Sequence, residues 1–336
     1  MKSLSQTAMD RQSKVQRLAL IGVAIIGFVA LASAPLWAGR ADLRLLMEAL
    51  SFLALAQMWN LLAGYTGLIS VGQQAYVGLG GYFFFALAMF TAVPVLLAIP
   101  LAALAAGLVA IPTAWIAFRL QGAYFAIGTW VIAEVFRLIA AQFPALGGGS
   151  GISLPVALVR SIASSRSGIE LVMYYMAFFI ALTSILSVWV LLRSRWGLAL
   201  TAIRDSEPAA ASLGVNIRRV KFMVYVGTAV GTALTGAFIF LQKLRITPEA
   251  AFSVTEWSAF VIFIVVIGGL GTIEGPIIGV ILFFLLRDLA ADLGTWYLIG
   301  LGALAIAVML IDRRGIWGAF KARGFPNLFV TQRTLN

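Results

Sequence analysis

Long apolar runs recur along almost the whole chain, and short polar stretches separate them. Because a helix needs about 20 apolar residues to cross a membrane, we predict an all-α, polytopic transmembrane helix bundle of about 8–10 spans, some of them broken. No separate soluble domain of useful size fits between the runs. The predicted spans are 18–38, 45–63, 69–90, 94–118, 122–142, 169–192, 220–241, 257–270, 276–291 and 294–311.

The composition agrees with a lipid environment. Of the 336 residues, 62% are hydrophobic and 11% are charged, whereas about a quarter of the residues in soluble domains are charged. The chain has no cysteine and no histidine, which excludes thiol nucleophiles, His or Cys metal sites and imidazole acid–base chemistry. It also lacks a phosphate-binding Gly-x4-Gly-Lys-Ser/Thr sequence, a nucleophile elbow and paired catalytic carboxylates. We therefore predict no catalytic residues, no metal site and no nucleotide site.

The net charge of +11 is compatible with nucleic-acid binding, but the cations cluster at the ends of the apolar runs. That distribution is typical of the positive-inside rule, so we predict lipid contact and no nucleic-acid partner. The rule also predicts cytoplasmic tails at 1–17 and 312–336, with a transmembrane domain over 18–311. The first run is longer than the roughly 7–15 apolar residues of a signal peptide, which predicts an uncleaved anchor.

Two glycine-rich stretches, Gly64–Tyr82 and Ile267–Gly279, interrupt the helical pattern. Close packing of helix backbones explains most such glycines. Broken helices also mark substrate routes in transporters, because non-helical backbone at membrane depth needs protein or water beside it. On the second explanation, Gln73 and Gln74 are candidates to line a translocation path. The polar stretch Phe143–Gly168 predicts an external loop.

Glu134 and Arg137 share one face of a predicted span, at about the depth where a charge is most costly in lipid. One interpretation is a structural ion pair inside the bundle. Another places Glu134 on the translocation path. Proton coupling is disfavoured, because the sequence shows no second buried acid that lines up with Glu134.

Residues 193–219, which we call the coupling segment, are the one long polar stretch in the second half of the chain. Trp196, Leu200 and Ile203 recur at helical spacing in its first part. Pro208 suits the first position of a second helix, which would carry an apolar stripe and end at Gly214. The stripe comprises Ala209, Ala210 and Leu213. A face this smooth predicts docking into a protein groove, although a merely solvated loop is the alternative.

The chain resembles the LivM-like permease subunits of bacterial ABC importers for branched-chain amino acids. The resemblance rests on four stretches in the family's order, which lie between Trp59 and Gly279. They are NLLAGYTGLISVGQQAYVGLGGY, QGAYFAIGTWVIAEVFR, SRWGLALTAIRDSEPAAASLGVNIRRVKFMVYV and VIGGLGTIEGPIIG. The third stretch is similar to the motif through which such permeases contact an ATPase. By that resemblance the contacting residues are Arg204, Asp205, Glu207, Ala209, Ala210, Leu213 and Gly214.

The resemblance implies a subunit of the bacterial inner membrane that binds no cofactor itself. Its implied partners are a LivH-like sister permease, a periplasmic substrate-binding protein and two cytoplasmic ATPase subunits that use ATP and Mg²⁺. Branched-chain amino acids are the implied substrates. Urea, short amides and small aromatic acids are alternatives within the family. An ion-coupled secondary transporter and an integral-membrane enzyme remain alternatives outside it.

Overall fold

The computed structural model describes residues 18–289, 296–312, 314–323, 325, 328 and 329. The predicted tail 1–17 and parts of the predicted tail 312–336 lie outside the described residues. The described chain folds as a bundle of helices, with two short strands at one end. The helices are α1 (Leu18–Ala32), α2 (Ala34–Trp37), α3 (Arg40–Thr66), α4 (Gln73–Phe90), α5 (Val95–Ala117), α6 (Ala123–Ala141), α7 (Val156–Arg160), α8 (Arg166–Arg193), α9 (Arg195–Asp205), α10 (Glu207–Ser212), α11 (Ile217–Lys243), α12 (Pro248–Ala251), α13 (Phe260–Gly268), α14 (Glu274–Leu289), α15 (Trp296–Ile311) and α16 (Gly315–Ala322).

Among the described residues, six stretches are long and apolar enough to cross a membrane, namely α3, α5, α6, α8, α11 and the run Pro248–Gly268. That run contains α12, a π-helical turn at Thr255–Ala259 and α13. The remaining predicted spans correspond to the shorter helices α1, α4, α14 and α15. These helices confirm the prediction of an all-α, polytopic bundle.

Helix α11 packs against α3, α4 and α5 in the centre of the bundle. Its contact with α4 depends on small residues at two crossing points. A Cβ atom at Gly80 would lie 2.1 Å from the carbonyl oxygen of Ala233, and one at Gly236 would lie 2.3 Å from that of Val77. Close packing therefore explains Gly80 in the first glycine-rich stretch, because only glycine lets the two backbones approach this closely.

Helix α4 begins in the middle of the bundle and not at one end. The side-chain amide of its first residue, Gln73, donates hydrogen bonds to the carbonyl of Leu55 in α3 (3.0 Å) and the hydroxyl of Thr232 in α11 (3.1 Å). Both partners lie about 16 Å from the nearest end of their helices. Residues 67–72, which we call the first break, therefore return the chain from the end of α3 to the middle of the bundle.

The interruption in the second glycine-rich stretch is shorter. Helix α13 ends at Gly268 and α14 begins at Glu274, so residues 269–273, the second break, separate them. Gly269 and Gly271 have φ values of 138° and 72°, which favour glycine over residues that carry a Cβ atom. The prediction that this stretch splits one apolar run into two helices is confirmed.

The two ends of the bundle differ. We call the end that carries α9 and α10 the coupling end. At the opposite end, strands β1 (Ile152–Ser153) and β2 (Arg245–Ile246) pair in antiparallel register. The amide of Leu154 also donates to the carbonyl of Leu244 at 2.8 Å. The stretch predicted as an external loop thus packs against the connection between α11 and α12.

Candidate functional site

The coupling segment forms two helices whose first turns are closed by serine side chains. Ser194 accepts a hydrogen bond from the amide of Trp196 at 3.1 Å, and Ser206 accepts one from the amide of Ala209 at 3.4 Å. Serine at this position satisfies an amide that has no partner within the helix. The second helix therefore begins at Glu207, one residue before the predicted start at Pro208.

Gly214 ends α10, as the sequence predicted. Its φ of 82° is left-handed, and its amide bonds the carbonyl of Ala211 at 2.9 Å. The amide of Val215 bonds the carbonyl of Ala210 at 3.1 Å. This pair of bonds is the Schellman arrangement, in which glycine avoids the strain that a Cβ atom would bring.

The predicted stripe of Ala209, Ala210 and Leu213 does not lie on one face of α10. Ala210 is buried against the bundle, whereas Ala209 is exposed and 80% of Leu213 is exposed. In α9, Leu200 and Ile203 are buried. The segment is therefore attached to its own chain by one set of side chains and leaves a different set exposed.

The charged residues of the segment also form two groups, one attached to the bundle and one exposed. Glu207 forms an ion pair with Lys221 of α11, whose side chain is 16% exposed. Arg204 pairs with Asp205 at 3.4 Å, and both side chains are largely exposed. The terminal nitrogen Nη1 of Arg204 also lies 3.8 Å from the position that a Cβ atom would take at Gly271. The side chain of Arg204 thus lies close to the second break.

Two amide side chains of α3 hold the second break. The Nδ2 group of Asn60 donates to the carbonyl of Thr272 at 2.7 Å, while its Oδ1 atom accepts the amide of Gly271 at 2.8 Å. Gln57 donates to the carbonyl of Ile273 at 2.8 Å. These bonds satisfy backbone groups that have left helical geometry inside the bundle. Sequence reasoning missed both residues, although polar side chains in an apolar helix are a recognisable signal.

Glu274 was also missed as a candidate. Its side chain is buried at the first residue of α14 and accepts the amide of Phe329 at 3.0 Å. A helix N-terminus stabilises a carboxylate in this position. An acid inside an apolar glycine-rich stretch was the available signal. Glu274 is therefore a buried acid that the sequence analysis did not single out.

Gln73 and Gln74, predicted to line a path, are both buried in this chain. Gln73 binds α3 and α11 as described above. The Oε1 atom of Gln74 accepts a hydrogen bond from the hydroxyl of Ser258 in the π-helical turn. A cavity of about 20 Å³ lies beside Gln73, Tyr76 and Tyr225, which is room for one water molecule. Both glutamines thus hold the start of α4 inside the bundle.

The first break itself is partly open. Ile69 is 55% exposed and Gly67 is exposed, whereas Ser70 is buried. The amide of Val71 donates a hydrogen bond to the hydroxyl of Thr129 in α6 at 3.2 Å. Non-helical backbone at this depth requires protein or a water-filled cavity beside it and not lipid. The open side of the first break is therefore a candidate surface for a path or a partner.

Glu134 and Arg137 form the predicted ion pair, with a distance of 2.7 Å from the Nε atom of Arg137 to the carboxylate. The prediction that the pair lies inside the bundle is wrong. The side chain of Glu134 is 42% exposed, and Arg137 also approaches the exposed Glu249 at 4.0 Å. Helix α6 packs against α4 and α12 but leaves this face uncovered. Thr129, which bonds the first break, lies on the same helix but is buried.

Comparison with known proteins identifies the family. Residues 43–311 match the family model described as the permease component of the branched-chain amino acid transport system. The chain belongs to this family. With its six long apolar helices, the permease is a multi-pass inner membrane protein.

Individual relatives agree with the family model. The permease is 25% identical to the high-affinity branched-chain amino acid transport system permease protein LivM of Escherichia coli K12 over 331 residues. This alignment covers 92% of the permease and 76% of the relative, and LivM of Salmonella typhimurium LT2 matches to the same extent. The probable LivM of Methanocaldococcus jannaschii is 29% identical over 174 residues, or 51% of the permease and 49% of that relative. No solved structure matches the permease.

Proposed function

We propose that the chain is the permease subunit of an ATP-driven importer for branched-chain amino acids. In this proposal a LivH-like sister permease completes the membrane domain, and a periplasmic binding protein delivers the substrate. Two cytoplasmic ATPase subunits hydrolyse ATP with Mg²⁺, and the coupling end and both termini face the cytoplasm. The observation that carries the proposal is the division of the coupling segment into an attached face and an exposed face.

The attachment gives the segment a mechanical role. Buried Ala210 and the Glu207–Lys221 pair connect α10 to the base of α11, the central helix. Arg204 extends from α9 to the vicinity of the second break. A partner that moves the exposed side of α10 therefore moves α11 and the junction of α13 and α14 together. The exposed Leu213 and Ala209 are the side chains that we assign to ATPase contact.

The open face of α6 supports a location for the substrate path. A half-exposed carboxylate at membrane depth costs at least about 2.5–3.5 kcal/mol in lipid. We therefore place the Glu134–Arg137 pair and the first break against the sister permease, along the path between the two subunits. Gln73 and Gln74 do not line this path but support it from inside the bundle, because they hold the start of α4.

The coupling proposal is tested by replacing Leu213 with aspartate in the chain purified together with its candidate ATPases and sister permease. A charge on the exposed face should abolish co-purification of the ATPases and substrate-stimulated ATP hydrolysis. Leu198→Asp is the matched control, because Leu198 is 64% exposed on α9 but lies outside the proposed contact. Intact assembly of Leu213→Asp, or equal loss in the control, would count against the proposal.

The orientation is tested separately by labelling in intact cells. Since the chain has no cysteine, single cysteines at Leu213 and at Ser161 report the two ends without background. A membrane-impermeant maleimide should reach Ser161→Cys from outside and should leave Leu213→Cys unlabelled. The reverse result would place the coupling segment beyond the reach of cytoplasmic ATPases.

A further inference from the structure

A large cavity lies at the end of the bundle opposite the coupling segment. A cavity of about 860 Å³ opens between the first turns of α3 and α8, the end of α11, the π-helical turn and the end of α14. Pockets of 300–1,000 Å³ are typical of sites for small organic ligands. Its apolar lining includes Met47, Phe52, Met173 and Trp257, all of which are buried. The proposed function uses none of these residues.

Three exposed arginines line the mouth of this cavity, and two of them approach a single carboxylate. Arg40 approaches one oxygen of Glu170 at 3.4 Å, and Arg166 approaches the other at 3.8 Å. Arg44, one helical turn after Arg40, donates from its Nε atom to the carbonyl of Arg40 at 3.3 Å. It forms no ion pair with any carboxylate of the described residues. We call Arg40, Arg44 and Arg166 the arginine cluster.

The other charges of the cavity wall are already matched. Arg287 binds both oxygens of Glu48, at 2.7 and 2.8 Å, and Lys243 pairs with Glu256 at 3.1 Å. Lys243 also lies over the ring of Trp257, at 4.7 Å. The cavity therefore has an excess of positive charge only at the arginine cluster. An anion bound there gains charge-assisted hydrogen bonds.

The position of the cluster indicates what kind of anion fits. The charged residues Arg40, Asp42 and Arg44 lie in the first two turns of α3, and a mainly apolar stretch begins at Leu45. The cluster thus lies where a membrane changes from headgroups to hydrocarbon. The buried apolar lining begins about one turn deeper, at Met47. A ligand that matches both parts has an anionic group at the mouth and a hydrocarbon chain over the lining.

We propose that this cavity binds an anionic phospholipid, with its phosphate at the arginine cluster and an acyl chain along Met47, Phe52 and Met173. The bound lipid neutralises the excess charge and fills the space between α3, α8 and α14. It would thereby hold the opposite end of the bundle while the coupling end moves. The inference is independent of the substrate and of the ATPase partners.

Native mass spectrometry of the purified full chain tests the proposal with three probes. These are dioleoyl phosphatidylglycerol, dioleoyl phosphatidylcholine and the soluble headgroup glycerophosphoglycerol. We expect phosphatidylglycerol to be retained about tenfold more tightly than phosphatidylcholine, because its net charge is negative. The headgroup alone should bind at least a hundredfold more weakly, because it leaves the apolar lining empty. Phosphatidylglycerol, unlike phosphatidylcholine, should also raise the thermal midpoint of the wild-type chain.

Arg44→Gln should weaken retention of phosphatidylglycerol about tenfold without changing the helical content. Arg160→Gln is the matched control, since Arg160 is an exposed arginine at the same end that does not line the cavity. Equal retention of the two lipids, or equal weakening by both variants, overturns the proposal. Headgroup binding as tight as lipid binding replaces it with a simple anion site. If Arg44→Gln instead abolishes capture of the binding protein and leaves lipid retention unchanged, the cavity is a protein-docking site.

Discussion

The first and second breaks are both non-helical stretches with two glycines, but they differ in the side chains that hold them and in how far they are exposed. The second break is bound by two amide side chains of α3, through three hydrogen bonds of 2.7–2.8 Å. The first break is held by the hydroxyls of Thr129 and Ser70, each at 3.2 Å, and by one bond from the indole of Trp59 to the carbonyl of Ser70 at 2.8 Å. It also exposes Ile69. We infer that the second break is a rigid junction behind the coupling segment. The first break is a looser surface, suited to a path.

The largest expected effect comes from Asn60→Leu, which removes the main attachment of the second break. The amide of Gly271 and the carbonyl of Thr272 would each lose their partner, at about 1–3 kcal/mol per buried group. We expect a thermal midpoint lower by several degrees and little assembled transporter, measured by fluorescence-detected chromatography after heating. Gln57→Leu removes a single bond and should cost less. An Asn60→Leu chain as stable as wild type would refute the rigid-junction interpretation.

Substitution of Gly72 should have the next largest effect. A Cβ atom there would lie 2.2 Å from the carbonyl oxygen of Thr129, so Gly72→Ala must separate α4 from α6. Overpacking of this kind costs about 1–3 kcal/mol, and uptake of leucine by the reconstituted importer should fall strongly. Gly67→Ala is the control, because no atom lies within 4 Å of its Cβ position. Its positive φ of 71° should cost about 1 kcal/mol. Equal effects of the two variants would argue against close contact as the cause.

Thr129→Val tests whether the hydroxyl of α6 holds the first break. The variant keeps the side-chain shape and removes the bond to the amide of Val71, so we expect a loss of about 1 kcal/mol. The fractional loss of uptake should exceed the fractional loss of stability. Thr129→Ser, which keeps the hydroxyl, should have wild-type uptake and wild-type stability. Wild-type uptake by Thr129→Val would show that this bond does not position the path.

Cysteine labelling compares the exposure of the two breaks directly, and we expect it to change stability least. Ile69→Cys in the first break should react with a small water-soluble maleimide in the reconstituted complex, because this side chain is 55% exposed. Ile273→Cys in the second break should stay protected, because this side chain is 1% exposed. The ratio of labelling rates, measured by mass spectrometry, should exceed tenfold. Similar rates would remove the distinction between an open and a closed break.

Much of the architecture follows from local sequence. Apolar runs of spanning length predicted the helix bundle, and glycine-rich stretches predicted where helices stop. The predictions for the coupling segment held where they rested on local geometry. Gly214 ends α10 because a left-handed residue is needed there, and a helix does start beside Pro208. These features depend on neighbouring residues alone, so the sequence contains them.

The failures concern burial. Ala209, Ala210 and Leu213 are close in sequence, yet only Ala210 of the three is buried. The packing of α10 against α9 and α11 decides which side of α10 faces the bundle. The Glu134–Arg137 pair formed as its spacing predicted, but the packing of α6 left it on an open face. Glu274 and Asn60 gained their roles from partners more than 50 residues away. Local sequence is sufficient to specify the helices, their interruptions and the polar coupling segment. Which polar groups are buried and which faces stay open is set by the packing of the helices, because burial depends on contacts between segments that are distant in the chain.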